Sequence, residues 1–250
     1  MVWLTESSTP DDLRIYAIGD VHGCLTQLQS VHRWIVEDIS SQPTAEWKII
    51  HVGDYVDRGE DSRGVLDYLV HCCAEDDRVI CLKGNHDLMF RAGIGGDERL
   101  TEIWLRNGAD ATLASYDLSV DDFIKRHRDG RGFEGTVPNS HLSFIEGLDH
   151  KLRLGDYLFV HAGINPKRRL EDQEPDDMLW IRDRFIHSGR EFDAVIVHGH
   201  TPSRKIDVRP NRVGIDTGAV FGGEMSCLVL EGHRKLRLTE NGRVPLTCAR

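Results

Sequence analysis

Gly19-Asp20-Val21-His22-Gly23 follows directly on the apolar run Leu13-Arg14-Ile15-Tyr16-Ala17-Ile18, and the reading of the chain turns on that junction. A hydrophobic strand that ends in Gly-Asp-x-His-Gly carries a carboxylate and an imidazole at its carboxyl tip. The flanking glycines let the backbone turn sharply and leave room for close approach. Oxygen and nitrogen donors two residues apart suit one divalent metal ion. Taken singly the pair says little, because a strand-ending Asp can simply cap the next helix. The same device, however, recurs four more times down the chain.

An amphipathic helix over about 25–40 follows, with Leu25, Leu28, Val31, Ile35 and Ile39 on one face, ended by Ser40-Ser41-Gln42-Pro43. A second strand, Trp47–Val52, runs into Gly53-Asp54-Tyr55-Val56-Asp57-Arg58-Gly59, and a helix is expected over about 62–73. A third strand, Arg78–Lys83, runs into Gly84-Asn85-His86-Asp87. Three successive units of strand, polar tip and helix predict an α/β build with a largely parallel sheet. Such sheets bind ligands beyond the carboxyl ends of their strands, where the three tips would gather.

Residues 88–150 read as mostly helical, with Trp104, Leu105, Leu113, Phe123, Phe144 and Leu148 as core contacts. Arg126–Gly132 reads as a solvated loop whose basic residues would help a phosphorylated substrate approach, and residues 1–12 as a frayed polar lead-in. The second half turns to closely spaced strands. Tyr157–Val160 leads into His161-Ala162-Gly163, Ala194–Val197 into His198-Gly199-His200-Thr201-Pro202, and Arg212–Ile215 into Asp216-Thr217-Gly218. Ser226–Leu230 and Lys235–Leu238 form a hairpin, and Leu179–Arg184 is expected to open a short helix after the acidic stretch Glu171–Asp177. Two sheets packed face to face with helices outside accommodate this order. No linker or repeat divides the chain, so one domain over residues 1–250 is expected.

A chain of 250 residues can bury roughly 70–75% of its unfolded surface, and 40% hydrophobic with 29% charged residues is the composition of a soluble globular protein. The net charge of −10 argues against nucleic acid or an anionic membrane as partner, while leaving room for a local phosphate pocket. The start Met-Val-Trp-Leu-Thr-Glu lacks a secretory pattern and no apolar run is long enough to span a bilayer, so a cytoplasmic location is expected. Cys24, Cys72, Cys73, Cys81, Cys227 and Cys248 show no CxxC spacing and read as free thiols. Cys24 adjoins the opening motif but has no evident base to make it a nucleophile.

The strand-tip residues collected in this way are Asp20, His22, Asp54, Asn85, His161 and His200. Three imidazoles, two carboxylates and an amide oxygen suit a pair of Mn, Fe or Zn ions better than a single structural zinc, which favours Cys. Asp54 is central enough to bridge two ions. Two metals about 3.5–4 Å apart can clamp the attacking and leaving oxygens of a phosphoryl displacement. They also lower the pKa of bound water, to about 7 on zinc.

The arrangement resembles the metal-dependent phosphoprotein phosphatase family, a calcineurin-like metallophosphoesterase group that includes the eukaryotic serine/threonine phosphatases and the bacteriophage lambda phosphatase. Gly19–Gly23 is similar to its GDxHG motif, Gly53–Gly59 to GDxxDRG and Gly84–Asp87 to GNH[E/D]. His161-Ala162-Gly163 and Gly199-His200-Thr201 resemble the two later metal-ligand motifs, so the likeness runs from about Ile15 to Leu230. The resemblance implies a four-layer αββα sandwich, two mixed β-sheets flanked by helices, with a dinuclear site at the strand ends. It implies that Asp20, His22 and Asp54 hold one ion and that Asp54, Asn85, His161 and His200 hold the other, with Mn2+ foremost. His86 would be the general acid that protonates the leaving alkoxide, and Asp57 would orient it. Arg58 would clamp phosphate with Asn85 beside it. Trp180-Ile181-Arg182 is similar to the lambda-type WNR segment and would make Arg182 a second clamp, since guanidinium donors match phosphate oxygens. Attack would come from a metal-bridging hydroxide, without a phosphoenzyme.

The chain departs from the pattern at Asp87, where eukaryotic members carry Glu. Gly84–Leu88 with Ile164 also resemble segments of bacterial symmetrical dinucleoside tetraphosphate hydrolases, and Asp216–Gly223 resembles a segment shared by lambda-type and tetraphosphatase members. The symmetrical hydrolases typically have Ala in place of Asp57 and lack the Trp-x-Arg segment. The expected activity is therefore phosphomonoester hydrolysis on phosphorylated proteins (Ser/Thr, with Tyr open) by a compact bacterial or phage-type enzyme. Symmetrical dinucleoside tetraphosphate hydrolysis is the alternative, and a non-catalytic metal-holding module the third reading.

Overall fold

The computed structural model describes residues 3–133 and 135–247. The first half runs β1 (Leu13–Ile18), α1 (Leu25–Ser41), β2 (Glu46–His51), α2 (Ser62–Glu75) and β3 (Val79–Cys81). Five helices follow: α3 (Asn85–Ile94), α4 (Glu98–Leu105), α5 (Ala109–Ser115), α6 (Val120–Arg128) and α7 (Asn139–Glu146). The second half runs β4 (Lys151–Leu154), β5 (Tyr157–Val160), α8 (Pro175–Trp180), α9 (Asp183–Ile186), β6 (Val195–His198), β7 (Asp207–Val208), β8 (Arg212–Gly214), β9 (Cys227–Glu231), β10 (Arg234–Thr239) and β11 (Gly242–Pro245).

These strands make a six-stranded sheet ordered β11-β10-β9-β1-β2-β3 and a five-stranded sheet ordered β4-β5-β6-β8-β7. β1, β2 and β3 are parallel, as are β5, β6 and β8, while β9 returns antiparallel beside β1 and β10 pairs antiparallel with β9. Alternation along β1 shows why both its faces are apolar. Ile15 and Ala17 point into a layer shared with Ile50, Tyr157, Phe159, Val197 and Val213, between the sheets. Tyr16 and Ile18 point the other way, onto Leu28, Val31 and Ile35 of α1 and Leu66 of α2. On the far face of the second sheet, Leu158, Val160 and Ile196 are covered by Met178, Ile181 and Phe185. The result is the expected αββα order, and it brings the carboxyl ends of both parallel sets to one edge. Among the described residues no helix is long and apolar enough to cross a membrane.

Several expectations are corrected. The segment before β1 is tied down rather than frayed: Leu4 is buried with its amide on the Pro210 carbonyl, and the Ser7 hydroxyl donates to Tyr157. Arg126, His127 and Arg128 belong to the last turn of α6, where cations suit the carboxyl end of the helix dipole, and not to a loop. The short helix expected from Leu179 begins earlier, at Pro175, a residue preorganised for a first helical turn, and ends at Trp180. Arg182 therefore sits between two short helices, exposed. Cys24, Cys72, Cys73, Cys81 and Cys227 are free, as expected, and Cys248 lies outside the described residues.

A buried pair behind the site gives the first expected result. His32 Nε2 lies 3.1 Å from His51 Nε2, and His32 Nδ1 lies 3.0 Å from the Tyr68 hydroxyl. Burial pulls the His32 pKa down to about 4. Because the unfolded value is near 6.5, the unfolded chain takes up the proton first as pH falls. Stability from the neutral ring is complete above pH 6.5 and is lost toward pH 4, at about 1.4 kcal/mol per pH unit. Urea unfolding between pH 6.5 and 4.5 should show the native chain losing roughly 2–3 kcal/mol more than a His32→Gln variant. Parallel losses in the two proteins would refute this.

Candidate active site

The loops beyond β1, β2, β3, β5 and β6 converge, and their backbones are forced into unusual shapes. Among the described residues, seven without glycine's freedom have positive φ, and five of them are here: His22 (41°), Asp54 (57°), Asp57 (75°), Arg58 (70°) and His200 (64°). Each costs on the order of 1–3 kcal/mol, so surrounding contacts must enforce it. Close packing explains two of the motif glycines. A Cβ on Gly84 would stand 2.2 Å from Asp54 Oδ1, and one on Gly199 would stand 2.0 Å from Asp20 Oδ1.

Asp87 is the principal tie. Its Oδ2 accepts the amides of Gly84 (2.8 Å) and Asp54 (2.9 Å), and its Oδ1 accepts that of Tyr55 (2.9 Å). Asp54 Oδ1 in turn accepts the His86 amide at 2.9 Å, and the Asp54 carbonyl accepts the His22 amide at 2.8 Å. Asp20 accepts the His200 amide on both carboxyl oxygens, at 3.1 and 3.0 Å. Loops distant in sequence are thus locked to one another by main-chain donors.

The imidazoles are aimed by backbone carbonyls. His22 Nδ1 donates to the Val56 carbonyl (2.8 Å), leaving Nε2 3.4 Å from Asp54 Oδ2. His161 Nδ1 donates to the Val52 carbonyl (3.0 Å), so its Nε2 faces Asn85 Oδ1 (2.9 Å), His200 Nδ1 (3.2 Å) and Asp54 Oδ1 (3.3 Å). Carbonyls that fix the outer ring nitrogen in this way are the usual support for metal-binding histidines. Two groups have their ligand atoms within 4.8 Å of one another, His22 with Asp54 and His86, and Asp54 with His161 and His200. Asp54 belongs to both, one oxygen toward each. Asp20 borders the cluster through His200.

Electrostatics shows what the cluster suits. Burial pushes Asp20 up, Asp216 and Asp54 add to the push, and its carboxyl lies well above the usual range. Burial and the Asp54 charge raise Asp87 to about 7. Burial works against charge on Asp54 too, but His161, His86 and His22 outweigh it and hold that carboxyl well below the usual range. Burial would lower His161, yet Asp54 and Asp20 raise it to about 9. Crowded acids thus favour positive charge at His161, whose Nδ1 faces the Val52 carbonyl and whose Nε2 faces oxygens of Asn85 and Asp54. A divalent ion would supply that positive charge better, with the same oxygen neighbours as ligands. His22 and His200, held down to about 3 and 2 chiefly by burial, keep neutral rings suited to ligation. His200 Nε2 is buried without a hydrogen-bond partner among the described residues. The donor set fits two hard-to-borderline divalent ions.

Beside this cluster, His86 Nδ1 donates to Asp57 Oδ2 at 2.6 Å. Asp57 Oδ1 accepts Trp104 Nε1 (2.8 Å) and Thr112 Oγ1 (2.6 Å), and the Asp57 amide donates to Thr112 Oγ1 (2.7 Å) and Ser62 Oγ (3.0 Å). Trp104 is therefore a core residue, as expected, and also a support of the site, which its sequence position did not reveal. Trp104→Phe keeps the ring packing and deletes one bond to a buried carboxyl. Urea unfolding should show a loss of about 1–3 kcal/mol; a loss below about 0.5 kcal/mol would mean that the bond carries no weight.

Arg58 donates from Nη1 to His22 Nε2 (2.7 Å) and from Nη2 to His86 Nε2 (2.9 Å), which places its guanidinium between the metal cluster and the His86–Asp57 pair. Arg182 lies near enough for its charge to help hold down His200. Cys24 is no activated thiol, because burial and Glu60 raise its pKa.

A His/Asp cluster of this kind at the strand ends of an αββα sandwich defines a metallophosphoesterase. The family profile described as calcineurin-like phosphoesterase matches residues 13–234, and the chain belongs to that family. It is 29% identical over 232 residues to an asymmetrical bis(5'-nucleosyl)-tetraphosphatase PrpE of Anoxybacillus flavithermus, covering 84% of this chain and 88% of the relative. It is 28% identical over 221 residues to serine/threonine-protein phosphatase 1 of Salmonella typhimurium, covering 85% and 89%. The fold is that of a cold-active protein-tyrosine phosphatase of a Shewanella species (TM-score 0.67, 18% identity, 96% of this chain and 83% of that one). It is also that of a putative diadenosine tetraphosphatase (TM-score 0.60, 20% identity, 96% and 97%).

Proposed function

We propose that residues 1–250 form one catalytic domain, a metal-dependent phosphomonoester hydrolase acting on phosphorylated protein side chains. The observation that carries this reading is the 2.6 Å bond from His86 Nδ1 to Asp57, beside the Arg58 guanidinium. A phosphate ester of a seryl or threonyl hydroxyl leaves as a strongly basic alkoxide, and a positioned proton donor is what such a leaving group needs. Asp20, His22 and Asp54 hold one ion, and Asp54, Asn85, His161 and His200 the other. Mn2+ is the proposed metal, with Fe or Zn as alternatives. A pair of such ions supplies polarisation of the phosphate oxygens and activation of water at neutral pH. Arg58, Arg182 and Asn85 bind and orient the phosphate, and Asp57 fixes the His86 ring so that Nε2 faces the leaving oxygen. Free thiols at the described cysteines fit a cytoplasmic setting.

Dinucleoside tetraphosphate hydrolysis is the second reading, favoured by the likeness to PrpE-type tetraphosphatases over most of both chains. Its leaving group is a phosphate, which departs with little need of an acid. Turnover of a phosphothreonine peptide and of diadenosine tetraphosphate, side by side with Mn2+, separates the two. Preference for the peptide supports the first reading, and preference for the dinucleotide replaces it with the second.

A further inference from the structure

The segment Asp216–Gly223 packs against the site, and one of its residues faces outward without apparent need. Ala219 is buried and Val220 half-buried, but Phe221 is 67% exposed at the end of a single 3-10 turn. The loop that carries it is firmly held. Gly218 (φ 68°) and Gly222 (φ 86°) bracket the turn, and the amides of Phe221 and Gly223 both donate to the Gly218 carbonyl, at 2.9 and 3.0 Å. Gln27 of α1 donates to the carbonyls of Ala219 and Gly223 and accepts the Met225 amide at 2.7 Å. A phenyl ring is thus presented to solvent by an anchored backbone.

Its position gives the ring a use. The Arg58 guanidinium carbon lies 5.7 Å from the Phe221 ring centroid. That guanidinium also spans His22 and His86, so a phosphate bound to it would lie within reach of the ring, with room for its ester group to turn toward Phe221. A flat group there would stack on the phenyl, with centroids separated by about 4.5–7 Å in an offset or edge-on pair. The guanidinium edge would hold the ring in place through its own attraction for the aromatic face. A threonyl or seryl carbon chain has no face to offer.

We propose that Phe221 is a stacking platform for an aromatic ring carried on the substrate's phosphate, and so selects aromatic over alkyl phosphoesters. The proposal rests on the reading of Arg58 as the phosphate clamp. The ring has two chemical sources, the phenol of an aryl phosphate such as phosphotyrosine and the base of a nucleotide.

Phenylphosphonate and ethylphosphonate, neither of which can be hydrolysed, test the platform by calorimetry on the Mn2+-loaded protein. The native chain should bind the phenyl compound about three- to tenfold tighter. Phe221→Ala should erase that preference, and Phe221→Trp should keep it. The exposed position makes either substitution mild for folding, which thermal unfolding checks. In turnover, Phe221→Ala should lower the ratio of kcat/KM between aromatic and phosphothreonine substrates by a similar factor, through KM. A drop seen with a phosphotyrosine peptide identifies the phenol as the ring, and one seen with diadenosine tetraphosphate identifies the base. Equal binding of the two phosphonates by the native chain, or equal weakening of both in Phe221→Ala, overturns the platform while leaving phosphoester hydrolysis intact. Failure to hydrolyse any phosphoester overturns the underlying reading and the platform with it.

Discussion

Replacing His86 with Asn should lower kcat on a phosphothreonine peptide by about 10²–10⁴-fold, and on p-nitrophenyl phosphate by far less. The asymmetry follows from the leaving groups, because an alkoxide needs a proton as the P–O bond breaks whereas nitrophenolate departs unaided. His86 can take this role once a phosphate engages Arg58: Nδ1 is committed to Asp57, and Nε2, which accepts from Arg58 here, would carry the proton when the bound phosphate takes over that guanidinium. Asp57→Asn gives a graded comparison. Oδ1 takes donors from Trp104 and Thr112, so the oxygen of the new amide must stay there and its NH2 must face His86. The ring is then forced into the tautomer with Nδ1 accepting, which cannot become an imidazolium supported by a carboxylate. An intermediate loss with the same substrate asymmetry is expected. Equal losses on both substrates in His86→Asn would remove His86 from the general-acid role.

The candidate ligand set was legible because each of its members directly follows, or nearly follows, an apolar strand, and strand ends of one parallel set share an edge. What holds those members was not. The carbonyls of Val52 and Val56 that aim His161 and His22 have no sequence signature, since every residue carries a carbonyl. Trp104 meets Asp57 across 47 residues, from a helix whose apolar face explains it equally well as core. β7 is a two-residue edge strand, too short for alternation to register, and β11 carries exposed positions and a proline. Leu4 and Ser7 are buried by contacts with Pro210 and Tyr157, from the far half of the chain, against a local composition that reads as solvated. Local pattern thus located the candidate site, whereas tertiary partners determined its rigidity.

Asp54→Asn should have the larger effect on metal content and cost at least about 10³-fold in turnover, because removing one of two charge-stabilising ions forfeits several kcal/mol. The direction of the damage can be argued from the existing bonds. Asp54 Oδ1 accepts the His86 amide at 2.9 Å and lies 3.3 Å from His161 Nε2, whereas Oδ2 lies 3.4 Å from His22 Nε2. An amide must keep its oxygen where the donor is, so its NH2 replaces Oδ2 and points at His22. The His161–His200 side retains its oxygen ligand and the His22 side gains a hydrogen-bond donor where a lone pair stood. Metal analysis of the Mn2+-loaded variant should therefore fall from two ions toward about one per chain, with the remaining ion beside His161. His161→Ala in the same background should then remove the remainder. Retention of both ions in Asp54→Asn would show that Asp54 does not bridge, and the pairing of the two ligand groups through one carboxylate would have to be abandoned.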